Sequence, residues 1–451
     1  MAEEAREGKG RLQLLEEVKK MNNRGCTAAR EGHFDDAKKY YEAALSKLIS
    51  DREKGQNQGL PEAEAAAVAL TNLGHLSSKV KNVSKSIEYY KKALQVLYHM
   101  YGQQSKCENT QVAEVLNTIG TLYVKQQQKM EGVKANKGQE ESRENYHREA
   151  EYHYSHALEI YKRAHGSHGK SFGMAQTLCN LGNLYFLADN MKDAESYYKR
   201  SLFMYSSANS LNKRVSNKVA EAMSSLLNNL GSLCRQRQDY EEAFDYFKQA
   251  LSFEYMCYGG ECKNASVATT LSNCGDIAAK CGKFEEAVRF YQRSLNTFPE
   301  KQSSRDSVAG VKIRLGTTHF QMNQIQAARA YYKEALQLYE NNEKNYRSIQ
   351  GADAWHCLGI LERKVHKVPE AASCQEKALD ALNEHLKWLE HCGKGPTQST
   401  RRLKNSIKSE LINLESCQSF YRFKNDVRSM KLSDNQSRFR LWPGTGRNKR
   451  M

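Results

Sequence analysis

One spacing, met eight times along the chain, constrains its fold more than any motif does. After Gly25, small residues follow at Ala37 and Ala44, with an aromatic between them at Tyr41. The same intervals of 12, 16 and 19 residues hold for Gly74/Ser86/Tyr90/Ala93, Gly182/Ala194/Tyr198/Ser201 and Gly231/Ala243/Phe247/Ala250. They hold again for Gly275/Ala287/Tyr291/Ser294, Gly316/Ala328/Tyr332/Ala335 and Gly359/Ala371/Gln375/Ala378. An eighth copy opens at Gly120, but its Ala150, Tyr154 and Ala157 arrive 18 residues late. The glycines step by 49, 46, 62, 49, 44, 41 and 43 residues, and subtracting the 18 turns 62 into 44. A period of this length means a repeat architecture, in which each unit buries its apolar face only against its neighbours.

Each unit reads as two helices. Small residues at the marker glycine and the later alanines let two backbones approach closely, and the aromatic fills the gap between them. Only five prolines interrupt 451 residues, so helix should dominate. The expected class is therefore all-α, an α-α superhelical solenoid of about eight repeats.

Trp355, Leu358 and Gly359 form a W-x-x-L-G, and Pro299 sits where a repeat should end. Over roughly residues 18–380 this resembles the tetratricopeptide repeat (TPR). Three copies run on to Gly102, Gly166 and Gly259, each nine residues past its alanine, as the cap of a lengthened second helix would. With "LNTIGTLY", "LCNLGNLY" and "LLNNLGSL" opening first helices, these long repeats are similar to the kinesin light chain class of TPR. "LQLLEEVKKM" stands before the first repeat, in place of the long heptad coiled coil of a light chain.

The expected organisation is a lead-in over 1–17 and the solenoid over 18–380. A polar, disordered loop over 126–148 interrupts the third repeat, a helical cap covers 381–425 and a basic, disordered tail covers 426–451. Residues 421–451 hold nine Lys/Arg against two Asp, which suits either a solubilising end or a docking or nuclear-targeting role. The opening "MAEEAREGKG" has no apolar stretch, and no run of about 18 apolar residues occurs, so neither a secretory signal nor a membrane span is expected. Twelve cysteines, with no C-x-x-C pair, read as reduced thiols of a cytoplasmic chain, or a nuclear one given the basic tail.

In such a solenoid the first helices line the concave face. Positions six and two before the marker glycine, then one and five after it, share one helical stripe. Two before stand Asn23, Asn72, Thr118, Asn180, Asn229, Asn273, Arg314 and Cys357. Five after stand Arg30, Lys79, Lys125, Leu187, Gln236, Lys280, Gln321 and Lys364, with Arg235 at the same edge. None of these is acidic. Amides offer a donor and an acceptor to a peptide backbone, and lysines attract carboxylates. The expected peptide-binding set is Asn72, Lys79, Lys125, Asn180, Asn183, Asn229, Arg235, Asn273 and Lys280, with acidic extended segments of protein partners as ligand. The resemblance agrees, since asparagines and basic groups of this stripe hold peptides in both TPR classes. A chaperone-type carboxylate clamp fails at its third helix: Lys19/Asn23 and Asn72 fit, but Glu114 and Thr118 do not.

Catalytic readings find no support, and no cofactor or metal is expected. The phosphate-loop lookalike at Gly282-Lys283 has Ile277 for its first glycine and Phe284 for its hydroxyl. Cys274 and Cys281 lie seven apart, but two thiols alone make a poor zinc site. The expected function is a non-enzymatic adaptor or scaffold, which the light-chain resemblance would link to a cytoskeletal or motor-associated assembly. The net charge of +16 sustains two alternatives: a nucleic-acid-associated solenoid, or a structural subunit of a large assembly.

Overall fold

The computed structural model describes residues 2–53, 60–102, 107–130, 137–166, 171–209, 216–260, 262–300, 305–340, 348–391 and 395–416. Among these there is no strand. The chain divides into two compact units, Met1–Gly260 and Glu261–Met451.

The first unit stacks five helix pairs: α1 (Ala2–Glu31) with α2 (Phe34–Glu53), α3 (Leu60–Lys79) with α4 (Val83–Tyr101), and α5 (Thr110–Lys129) with α6 (Lys137–His165). Next come α7 (Phe172–Leu187) with α8 (Met191–Asn209), and α9 (Asn217–Gln236) with α10 (Tyr240–Tyr258). The second unit stacks α11 (Ala265–Lys280) with α12 (Phe284–Thr297), α13 (Arg305–Gln321) with α14 (Ile325–Glu340), and α15 (Ile349–Lys364) with α16 (Val368–His391). Helical residues 398–416 (α17) follow. Within each unit, first helices also touch first helices of the next pair, as α5 touches α7 and α7 touches α9.

One contact makes each pair. A Cβ added at Gly25, Gly74, Gly120, Gly182, Gly231, Gly275 or Gly316 would stand 2.5–2.8 Å from the ring sixteen positions on, or thirty-four on in the case of Gly120. Glycine is therefore required there by the ring's approach, and Gln375 plays the ring's part over Gly359. The tyrosines are buried, so each hydroxyl needs a partner. In repeats one, three, four, six and seven the residue after the marker glycine provides one. Tyr198 donates to Asn183 Oδ1 at 2.7 Å, Tyr291 to Asp276 Oδ1 at 2.7 Å, and Tyr154 to Thr121 Oγ1 at 3.1 Å. Serines that replace alanine are satisfied too: Ser86 donates to the Gly74 carbonyl and Ser294 to the Ala268 carbonyl.

A second rule sets the turn between the helices. Seven residues past the marker glycine the backbone is left-handed, at Gly32, Lys81, Asp189, Gln238, Gly282, Asn323 and His366. The glycines expected as caps, Gly102, Gly166 and Gly259, have φ of +93°, +78° and +81°. Repeat three has no such turn, because α5 runs through position 127 to Lys129.

Three expected boundaries differ from the structure. The lead-in is not separate: α1 runs unbroken from Ala2 to Glu31, and Arg11 pairs with the buried Glu62 of α3. Of the loop expected over 126–148, residues 126–129 belong to α5 and 137–148 to α6; 131–136 lie outside the described residues. That segment lacks aliphatic periodicity, but its Glu, Gln, Arg and Lys are good helix formers. Aromatic contacts dock it: Tyr146 lies against Tyr123, His147 meets Tyr185 edge-on, and Tyr185 donates to Glu151. Thirdly, α16 crosses residue 380 without a break, and α17 seats Ile407 beside Ala381 and Leu382 as a cap. The rest of the expected cap, beyond 416, and the tail lie outside the described residues.

Two predictions follow from the backbone and from α6. Gly282 pays nothing for φ of +74°, whereas Gln238 at +68° carries left-handed strain. Gly282→Ala should lower stability by about 1 kcal/mol and Gln238→Gly should raise it by about 0.5 kcal/mol, read by denaturant unfolding. His153 is buried and stacked on Tyr123 at 5.7 Å. Burial first, then Lys91 and His156, lowers its pKa from 6.5 to about 4. The unfolded chain then binds the proton more readily, so stability is full above pH 6.5 and falls as pH drops towards 4. The loss is about 3 kcal/mol, and His153→Phe should flatten that limb of a pH–stability profile.

Candidate functional site

The first helices of the first unit bring their stripes to a common inner face. On α5 the stripe is Glu114, Thr118, Thr121 and Lys125; on α3 it is Val68, Asn72, His75 and Lys79; on α7 it is Gln176, Asn180, Asn183 and Leu187. Three recesses follow one another along it. The first, between α3 and α5, is lined by Glu64, Val68, Asn72, His75, Glu114 and Thr118 among others. The next shares Glu114 and Thr118 and adds Thr121 and an aromatic wall of Tyr161, Phe172 and Tyr205. The last, of about 390 Å³, gathers Thr121, Lys125, Asn180, Asn183 and Asn229.

Hydrogen bonds carry amides from helix to helix along this face. Asn229 of α9 donates to Asn183 Oδ1 of α7 at 2.8 Å, the same oxygen that Tyr198 caps. Asn180 donates to Asn117 Oδ1 at 3.3 Å and accepts from Gln176 at 3.2 Å, and Tyr205 donates to Gln176. Part of each asparagine is thus structural: it ties one repeat to the next. The remainder faces the recess. The N–H donors of Asn183 and the Oδ1 of Asn229 have no partner among the described residues.

Charge is unspent on the same face. Lys79 and Lys125 are exposed and make no ion pair among the described residues, and neither do Glu64 and Glu114. Desolvation, then the ammoniums of Lys79 and Lys125, lowers the His75 pKa from its usual 6.5. Both lysines therefore act on one point of the first recess, where they add to burial in disfavouring the charged imidazole.

The expected set is only partly brought together. Asn72 lines the first recess, and Lys125, Asn180, Asn183 and Asn229 line the last. Lys79 stands at the end of α3 and acts through its field, while Arg235 is half-buried in the last turn of α9 and lines none of the three. Asn273 and Lys280 belong to α11 of the second unit, half-buried and exposed respectively. There the stripe is spent on itself: Arg314 reaches Asp276 Oδ1 at 3.1 Å and Ser272 at 3.2 Å. Glu64 and His75 are absent from the expected set: His75 is one after its glycine, on the stripe, whereas Glu64 lies ten before it, off the four stripe positions. Glu114, six before its glycine, enters the sequence argument only as a residue that spoils the carboxylate clamp.

Among the described residues no group of three or more His, Cys, Asp or Glu could hold a metal ion. All described cysteines are free, Cys274 buried and Cys281 exposed in the α11–α12 turn. No described helix is long and apolar enough to cross a membrane.

Family models described as tetratricopeptide repeat match residues 21–46, 67–96, 142–207, 224–253 and 266–341, together about half of the chain. The chain belongs to the tetratricopeptide repeat family, the class that its glycine-on-ring pairs and stacked helices define. It is similar to two Arabidopsis thaliana proteins, Protein KINESIN LIGHT CHAIN-RELATED 3 and Protein KINESIN LIGHT CHAIN-RELATED 1. Each is 26% identical, over 162 and 159 residues, which are 36% and 35% of this chain. The matched region spans only 24% of either relative's length. Among solved structures, the apo form of RapI shares the fold, with a TM-score of 0.54 and 12% identity over 88% of this chain and 97% of that one.

Removing the ammonium at Lys79 or Lys125 should let the His75 pKa rise back towards 6.5. NMR titration of the imidazole in Lys79→Gln and Lys125→Gln checks this, with the two shifts in the same direction.

Proposed function

We propose that this tetratricopeptide repeat scaffold is a non-enzymatic adaptor that holds an extended, acidic segment of a protein partner along the inner face of α3, α5, α7 and α9. The observation that carries the reading is the pair Lys79 and Lys125, exposed and unpaired among the described residues, beside amides with free donors and acceptors. Such amides match the alternating N–H and C=O of an extended backbone, and the lysines supply attraction for carboxylates. The aromatic wall of Tyr161, Phe172 and Tyr205 adds apolar contact, which is where affinity in such interfaces concentrates. The adaptor would work in the cytoplasm and link cargo or regulators to a cytoskeletal or transport assembly, a role suggested by the likeness to proteins named kinesin light chain-related.

An array of acidic peptides, compared with RNA and single-stranded DNA at about 150 mM salt, tests the reading. Acidic peptides should bind, and Lys79→Glu with Lys125→Glu should weaken them at least about tenfold while leaving the fold intact by circular dichroism. Nucleic acid binding without peptide binding, or full peptide affinity in the doubly reversed variant, would overturn it.

A further inference from the structure

The inner face of the first unit is charged on two edges, not one. Glu64 and Glu114 line the same recess from the N-terminal halves of α3 and α5, with no partner among the described residues. Lys79 and Lys125 end the same two stripes, and both bear on His75. Each sign stands at the helix end that its dipole favours, so the arrangement is self-consistent. Glu114 and Lys125 are eleven residues apart on one helix, which is about 16 Å. Between the two edges lies the polar floor of Asn72, Thr118, Thr121 and Asn180.

That floor continues from helix to helix: the first two recesses share Glu114 and Thr118, and the next two share Thr121 and Asn180. An occupant following it crosses the helices and runs along the face. An extended chain on such a path throws successive side chains to opposite sides. Odd residues reach one edge and even residues the other.

We infer that the partner segment is not uniformly acidic but two-edged: Asp or Glu at alternating positions facing Lys79 and Lys125, with Lys or Arg interleaved and facing Glu64 and Glu114. This rests on the peptide-groove reading and sharpens its ligand. A purely acidic chain would press carboxylates against Glu64 and Glu114, and like charges in register are how an interface rejects a wrong partner. A two-edged chain neutralises both rows and fixes which of its faces points to which edge.

Three capped nine-residue peptides on one framework test this by fluorescence anisotropy with the full chain. One alternates acidic and basic residues, one has the same composition in two blocks, and one is acidic with Gln for each basic residue. The alternating peptide should bind at least about fivefold more tightly than either. Glu114→Lys should weaken the alternating peptide and strengthen the acidic one, while Lys125→Glu should weaken both. Acidic and alternating peptides binding equally, the block peptide matching the alternating one, or Glu114→Lys failing to reorder them would overturn the inference and leave the groove standing. If none of the three binds, the groove reading falls, and the inference with it.

Discussion

Everything in this protein hangs on a ring laid over a backbone. Where Tyr41, Tyr90, Tyr154, Tyr198, Phe247, Tyr291 or Tyr332 presses on its glycine, no side chain could intervene without moving one of the helices. The contact fixes how far apart the two helices stand and how they are rotated, since only one face of the first helix carries the glycine. It also buries a hydroxyl that must be satisfied. In five repeats that hydroxyl bonds the residue after the glycine, on the inner side, and so bears on the chemistry allowed there. A packing contact and the inner face are joined through one aromatic side chain. In repeat five, Phe247 has no hydroxyl to place, and Ser232 beside Gly231 is released from that duty.

The two units use the same stripe differently. In the first, amides link neighbouring repeats through neutral hydrogen bonds, and the charges at the helix ends are left over. In the second, an arginine stands where the asparagine would be and an aspartate takes the tyrosine's hydrogen bond. The two then pair with each other. Neutral links leave the face open to a ligand's charges; the Arg314–Asp276 pair consumes them. A ligand at that position would first have to break an ion pair, at a cost comparable to what its own carboxylate could regain.

The sequence shows the repeat and its helix pairs with little ambiguity, because glycine, ring and small residue are forced into fixed positions by contact. It is less informative where the partner of a side chain comes from the next repeat. Whether Asn229 reaches Asn183, or Arg314 reaches Asp276, depends on how two pairs stack, and no spacing rule on a single helix contains that. The segment over 137–148 misleads for a related reason. Its docking uses Tyr146 and His147, with Glu151 just beyond it, against Tyr123 and Tyr185, polar and aromatic contacts that leave no trace in an aliphatic period.

The lengthened third repeat keeps the marker contact unchanged: a Cβ at Gly120 would meet Tyr154 at 2.7 Å, the same as Gly275 with Tyr291. Eighteen residues have entered between glycine and ring without altering how they meet. Length in this architecture is therefore a free variable at one end of the helix pair and a frozen one at the other. A lineage can lengthen the far ends of its hairpins, acquiring new surface there, while the inner face stays in register.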